Sequence, residues 1–198
     1  YKNPVSIITK GALIRRDIDL LCALNKVTDL HVIMSLAFSD DSVSRKIEPY
    51  APRPSIRFRA MKELSAAGIR IGIAVAPVIP GLNDAQIPEI LARAHDSGAR
   101  TAFMTLLRLP LEVKNVFVER LEREFPSRSE KVLHQLAAMK NGKLNRSEFG
   151  ARMRGEGPQW EAIDWLFKST CQRLKMNSAE VQPQRPRGDT FERPRAQL

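Results

Sequence analysis

Long apolar runs are missing from this 198-residue chain. None approaches the roughly 18 residues that would suggest a helical membrane span, so no membrane partner is expected. No basic segment leads into an apolar one, and so nothing reads as a signal peptide. Cysteine is scarce as well. Cys22 and Cys171 are the only two, far apart and without CxxC spacing, which excludes a disulfide framework and a cysteine metal site. Cys22, inside Leu20-Leu21-Cys22-Ala23-Leu24, reads as a small buried hydrophobe, and reduced, cytoplasmic surroundings fit this cysteine usage. His31, His95 and His134 form no pair at metal-ligand spacing and read as structural or surface residues. The P-loop, dinucleotide-binding, nucleophile-elbow and HExxH signatures are all absent, which removes the ordinary hydrolase and nucleotide-binding classes.

What is present is a globular composition, 43% hydrophobic and 27% charged, in a chain long enough for one domain, or for one domain and a tail. The net charge is +10. Its sharpest excess lies between Arg128 and Arg154, where seven Lys and Arg side chains face only Glu130 and Glu148. Such a surface either selects anionic partners, nucleic acid among them, or is simply a solvated basic face.

Three apolar runs rich in β-formers, Val5–Thr9, Leu30–Leu36 and Ile69–Ala76, and a weaker fourth, Thr101–Leu107, are continuous rather than alternating. That is the pattern of parallel strands buried on both faces. Helical patterns separate them. Asp17–Leu24 puts Ile18, Leu21 and Cys22 on one face. Ile56, Ala60, Leu64 and Ala67 trace a second helix stopped by Gly68. Asn83 is placed to cap a third, with Gln86 as its capping-box partner and Gly98 as terminator. The resulting β-α-β-α-β-α-β-α order demands a parallel sheet with right-handed crossovers. Beyond it, Leu111–Phe125, a helix opened by Ser127 and Glu130, and a helix around Trp160–Leu174 are expected. From Ser178 onward the Pro-, Arg- and Gln-rich chain has no apolar periodicity and is expected to be disordered. Four βα units form either a doubly wound open sheet or part of a barrel. The chain opens on Tyr1 and enters a strand almost at once, so a preceding segment is expected and the barrel is favoured.

In both architectures ligands gather at the C-terminal ends of the strands. The first strand ends at Thr9-Lys10, and a lysine there either holds a carboxylate or phosphate as a point charge or solvates a loop. Ser35, near the end of the second, offers a hydroxyl to a ligand or to a neighbouring backbone group. The third runs into Ala76-Pro77-Val78-Ile79-Pro80-Gly81-Leu82-Asn83-Asp84, a stiffened loop leading to a helix N-terminus that favours anions. After the fourth stands Arg108, able to clamp a carboxylate or to pair with Glu112.

Several strings resemble, in order, the bacterial radical S-adenosylmethionine (SAM) proteins grouped with spore photoproduct lyase and described as DNA-repair photolyase-like. They are Ile7-Ile8-Thr9-Lys10 with Arg16-Asp17-Ile18-Asp19-Leu20-Leu21, then Ile47-Glu48-Pro49-Tyr50-Ala51-Pro52-Arg53-Pro54, and Ala67-Gly68-Ile69. The proline-flanked loop, Leu106-Leu107-Arg108-Leu109-Pro110 and Phe149-Gly150-Ala151-Arg152-Met153-Arg154-Gly155-Glu156-Gly157-Pro158 complete the set. The resemblance implies the C-terminal part of a partial (β/α)6 barrel over residues 1–110, a helical extension over 111–176 and a disordered tail over 177–198. It implies an intact enzyme that holds a [4Fe–4S] cluster and SAM and cleaves SAM reductively to a 5′-deoxyadenosyl radical. It further implies Lys10 and Ser35 near the methionine and ribose of SAM, the Pro77–Asn83 loop beside the adenosine, Arg45 and Glu48 in the adjacent wall, and Arg108 facing SAM or substrate.

The family's CxxxCxxC motif is absent from these residues. This chain alone is therefore expected to assemble no cluster and to be inactive, with the missing N-terminal segment of the same protein as its partner. The competing expectation is a non-catalytic, basic nucleic-acid-binding module centred on Arg128–Arg154.

Overall fold

The structure is a computed structural model that describes residues 2–145 and 152–178. Strands β1 (Val5–Thr9), β2 (Leu30–Leu36), β3 (Arg70–Val78) and β4 (Ala99–Leu106) form one parallel sheet in the order β1-β2-β3-β4. The chain is α/β. Helices α1 (Ile18–Val27), α2 (Asp41–Ile47), α3 (Pro54–Ala66) and α4 (Ile87–Asp96) lie between the strands, and α5 (Leu111–Glu124), α6 (Pro126–Ala138) and α7 (Pro158–Arg173) follow them. The expected basic stretch falls partly, and the expected tail almost wholly, outside the described residues. Among the described residues no helix is long and apolar enough to cross a membrane.

Because the strand order follows the sequence without reversal, every right-handed crossover brings its helix to the same face. Val32, Met34 and Leu36 of β2 and Ile71, Ile73 and Val75 of β3 are buried there with Phe58, Met61 and Leu64 of α3 and Ile87, Ile90 and Leu91 of α4. The other face carries the alternate residues. Ile8, Ile33, Gly72 and Thr101 share one row across the four strands. Near its lower end the His31 ring meets the Thr101 hydroxyl at 2.9 Å. A Cβ on Gly72 would strike both groups, so glycine is what lets them meet. Burial pushes the His31 imidazole down to about 4, which keeps it neutral near pH 7.

Helix α2 has no counterpart in the apolar periodicity, because its DSVSRKI sequence is mostly polar. It exists through its cap: Asp40 Oδ1 accepts the N–H groups of Ser42 and Val43, both at 2.8 Å. The face of α3 also differs from expectation. Ile56 is exposed, whereas Arg57, Phe58, Ala60, Met61 and Leu64 are buried. Gly68 and Gly98 stop α3 and α4 at positive φ, as their positions imply. Ser127 does not open α6, which begins at Pro126 without a side-chain cap.

The two edges of the sheet differ. Beyond β4, Asn177 stands in for a strand: its amide accepts from the Ala102 N–H at 2.8 Å and donates to the Ala102 carbonyl at 2.9 Å. Its own N–H bonds the Arg100 carbonyl at 2.9 Å, and the Leu106 N–H bonds the Met153 carbonyl at 2.9 Å. Beyond β1 no strand pairs among the described residues. Ile8 of β1 is 61% exposed and Leu20 of α1 65%. Replacing Asn177 by Ala removes two hydrogen bonds and is expected to cost about 1–3 kcal/mol. Hydrogen exchange should report the loss as faster exchange at the Ala102 amide, with the β2 amides unchanged.

Candidate functional site

The C-terminal ends of β1, β2 and β3 are joined by one run of hydrogen bonds. Lys10, the residue after β1, donates its ammonium to Glu48 Oε1. Glu48 closes α2, and its other oxygen accepts from Arg57 Nη2 at 2.9 Å. Arg57 rises from the first turn of α3, and its other two nitrogens each donate to a backbone carbonyl: Nη1 to Ser35 at 2.8 Å and Nε to Pro52 at 2.6 Å. Solvent access falls steadily along this trio, with side chains 41% exposed at Lys10, 10% at Glu48 and 0% at Arg57. Two cations share one carboxylate, so the trio carries a net positive charge, and its most accessible member is Lys10.

Ser35 carries the run from β2 to β3. Its hydroxyl donates to the Ala76 carbonyl at 3.1 Å, and the peptide bond between Ala76 and Pro77 is cis. The loop beyond is braced by Asn83, which is 2% exposed. Its Nδ2 donates to the carbonyls of Ala37 at 2.6 Å and Pro77 at 2.9 Å, and its Oδ1 accepts the Ile79 N–H at 2.6 Å. All the polar capacity of the Asn83 side chain but one lone pair is thus taken up within the fold. This corrects the capping expectation: Asn83 makes no side-chain cap, and Gln86 instead accepts from the backbone and hydroxyl of Ser39 at 3.1 and 3.2 Å. Asn83 therefore shapes the loop that presents Pro77.

Lys10, Ser35, Glu48, Pro77 and Asn83 are brought together by these contacts. Arg45 and Arg108 are not joined to them. Arg45 is exposed on α2 and lines a shallow hollow of about 490 Å³ with Asp41, Ser42, Lys46, Arg53 and Glu124. Arg108 follows β4, half-buried, and its Nε is enclosed without a hydrogen-bond partner. It makes no ion pair with Glu112. Among the described residues no group of three or more His, Cys, Asp or Glu side chains could hold a metal ion.

Arg57 is the residue of this hydrogen-bonded run that sequence reasoning passed over. Its signal was present, since Arg57, Met61 and Leu64 fall on one stripe of α3, where a charged residue within an apolar face implies a buried partner. Replacing Asn83 by Ala would leave two carbonyls and one N–H buried without partners. The expected loss is about 3 kcal/mol, read as a lower urea midpoint at unchanged slope.

No protein-family model matches the chain. It is 32% identical over 126 residues to an uncharacterized protein of Mycobacterium tuberculosis, a match covering 63% of this chain and 37% of that one. It is 28% identical over 133 residues to an uncharacterized protein of Methanocaldococcus jannaschii, covering 67% of this chain and 48% of that one. A third match, to an uncharacterized protein of Acidianus two-tailed virus, is 32% identical over 74 residues and covers 37% of this chain and 24% of that one. The chain spans less than half the length of each of these relatives.

Proposed function

We propose that this chain is the C-terminal part of a radical-SAM protein of the spore photoproduct lyase-related kind, and that its strand ends form one wall of a SAM site. The observation that carries the reading is the asymmetry of the sheet. Its β4 edge is sealed by Asn177 and Met153, whereas its β1 edge is unpaired among the described residues and the adjoining α1 exposes Leu20 and Val27. A further βα unit on the β1 side would satisfy the edge and cover those apolar groups. The strand order supports a barrel over a doubly wound sheet, because a doubly wound sheet reverses direction and this one does not. The greater length of the relatives supports it too.

Within this reading the chain's own groups divide the work. Lys10 offers ammonium donors to a carboxylate, and Glu48 fixes where that ammonium sits. The Ser35 hydroxyl, while donating to Ala76, keeps lone pairs for a ligand hydroxyl. Asn83 holds the loop at Pro77 as a rigid wall, and the enclosed Nε of Arg108 is a donor awaiting an acceptor at the β4 end. The chemistry that SAM supplies in this family is hydrogen abstraction. The iron–sulfur cluster does not fit this chain. Three thiolates are required, whereas Cys22 sits against the Ala67 carbonyl at 3.5 Å, and burial raises the Cys171 thiol to about 11. We assign the cluster ligands to the preceding part of the protein.

The native gene product, purified without oxygen, is then expected to contain iron and sulfide, to be brown with a broad visible absorbance, and to release 5′-deoxyadenosine from SAM on reduction. An iron-free native protein after anaerobic reconstitution, or a coding sequence with no CxxxCxxC upstream, overturns the reading.

A second reading, nucleic-acid binding by this chain alone, is favoured by one group of residues. Arg45, Lys46 and Arg53 line the hollow beside α2 together with Asp41 and Glu124, and Tyr50 stands 98% exposed in the loop between α2 and α3. Exposed cations and an exposed aromatic ring are groups that a single strand binds. Fluorescence anisotropy with a labelled single-stranded oligonucleotide should show binding at about 50 mM salt that weakens steeply as salt rises. No binding at that salt ends this second reading.

A further inference from the structure

We propose that Arg57 is a positioning residue for Lys10, acting through Glu48; the assignment rests on the reading of this edge as a ligand-binding wall. Arg57 is fully buried, and its guanidinium is held on three sides, by the Ser35 carbonyl of β2, the Pro52 carbonyl of the α2–α3 loop and Glu48 Oε2. A planar, forked cation bound in this way has one orientation. Glu48 inherits that orientation, because one of its oxygens is committed to Arg57 and the other to Lys10. The ammonium of Lys10 is thereby held at a fixed place relative to the end of β2, with donors left over for an incoming oxygen.

Nothing in the helix itself asks for this arginine. A cation in the first turns of α3 opposes the helix dipole, and a buried guanidinium is costly unless its partners are complete. A side chain serving only to fill the core at this position would be apolar, as Phe58 and Met61 beside it are. What the guanidinium supplies that an apolar group cannot is a link from β2, through a carboxylate, to the residue at the end of β1.

The test is trace acylation of the full chain by a succinimidyl ester near about pH 8, quantified at Lys10 by peptide mass spectrometry against the exposed Lys62 of α3. In the wild type Lys10 should label more slowly than Lys62. Glu48→Gln should speed Lys10 labelling by about threefold or more, the scale of one ion pair. Arg57→Lys keeps the buried charge but cannot reach three acceptors, so it should speed labelling too, without touching Lys10 directly. A folded Arg57→Lys variant whose Lys10 labels at the wild-type rate, while Glu48→Gln speeds it, overturns the proposal. If Arg57→Lys does not fold, Arg57→Gln provides the answer: it also removes a neighbouring positive charge, which by itself slows labelling, so faster labelling supports the proposal and labelling at or below the wild-type rate overturns it. Because the labelling needs no ligand, its outcome is separate from that of the iron and SAM measurements on the native protein.

Discussion

An edge strand leaves a row of peptide groups unpaired unless something covers them, and the two edges of this sheet differ in that respect. At β4 the cover is local. One asparagine side chain presents an acceptor and a donor with the spacing of a peptide group, so Asn177 pairs with Ala102 as one residue of a neighbouring strand would. At β1 no substitute is described, and the apolar groups of the adjoining helix remain in water. The same geometry that leaves this side unfinished also gathers the strand ends onto one rim, since parallel strands all run the same way. The candidate site and the open edge are two results of one topology.

At that rim the fold accepts an arrangement that pure packing would avoid. Burying a guanidinium costs several kcal/mol unless each donor direction finds an acceptor. Arg57 finds two carbonyls and one carboxylate oxygen, and Glu48 is in turn neutralised from both sides, by Arg57 and by Lys10. Lys10 completes the set from the solvent side. The trio resembles a short ladder of alternating charge, anchored in the interior and open at one end. Asn83 plays a comparable part for the next loop without charge, spending its amide on three backbone groups.

How far this could be read from the residues depends on the kind of signal involved. The strands were legible because continuous apolar runs mark them, and β1 and β2 fall on the expected residues. Burial on both faces, which the same runs imply, holds for β2 but not for β1, where Ser6 and Ile8 are exposed. The grouping of Lys10, Ser35 and the proline-flanked loop followed from the rule that strand ends converge. Helix α2 was not legible, since a capped polar heptapeptide has no apolar period. Arg57 was missed because a helix face traced through Ile56 turns the wrong residue inward, and only the tertiary fit with Glu48 decides between the two faces. Asn83 and Gln86 have the spacing of a helix cap, but the ends of β2 and β3 offer them better partners than the helix does. Long-range competition of this kind leaves no local trace.

The unsheathed strand has a consequence for how the chain behaves at high concentration. A row of peptide groups next to Ile8 that no strand pairs among the described residues is a template on which an extended segment can align, including that of another copy. Opposing this is the surplus of ten positive charges, which makes copies repel one another at ordinary ionic strength. Raising the salt screens that repulsion while leaving the peptide groups as sticky as before. Colloidal stability of the isolated chain is therefore a balance between a directional attraction and a diffuse electrostatic barrier, and ionic strength moves only the second.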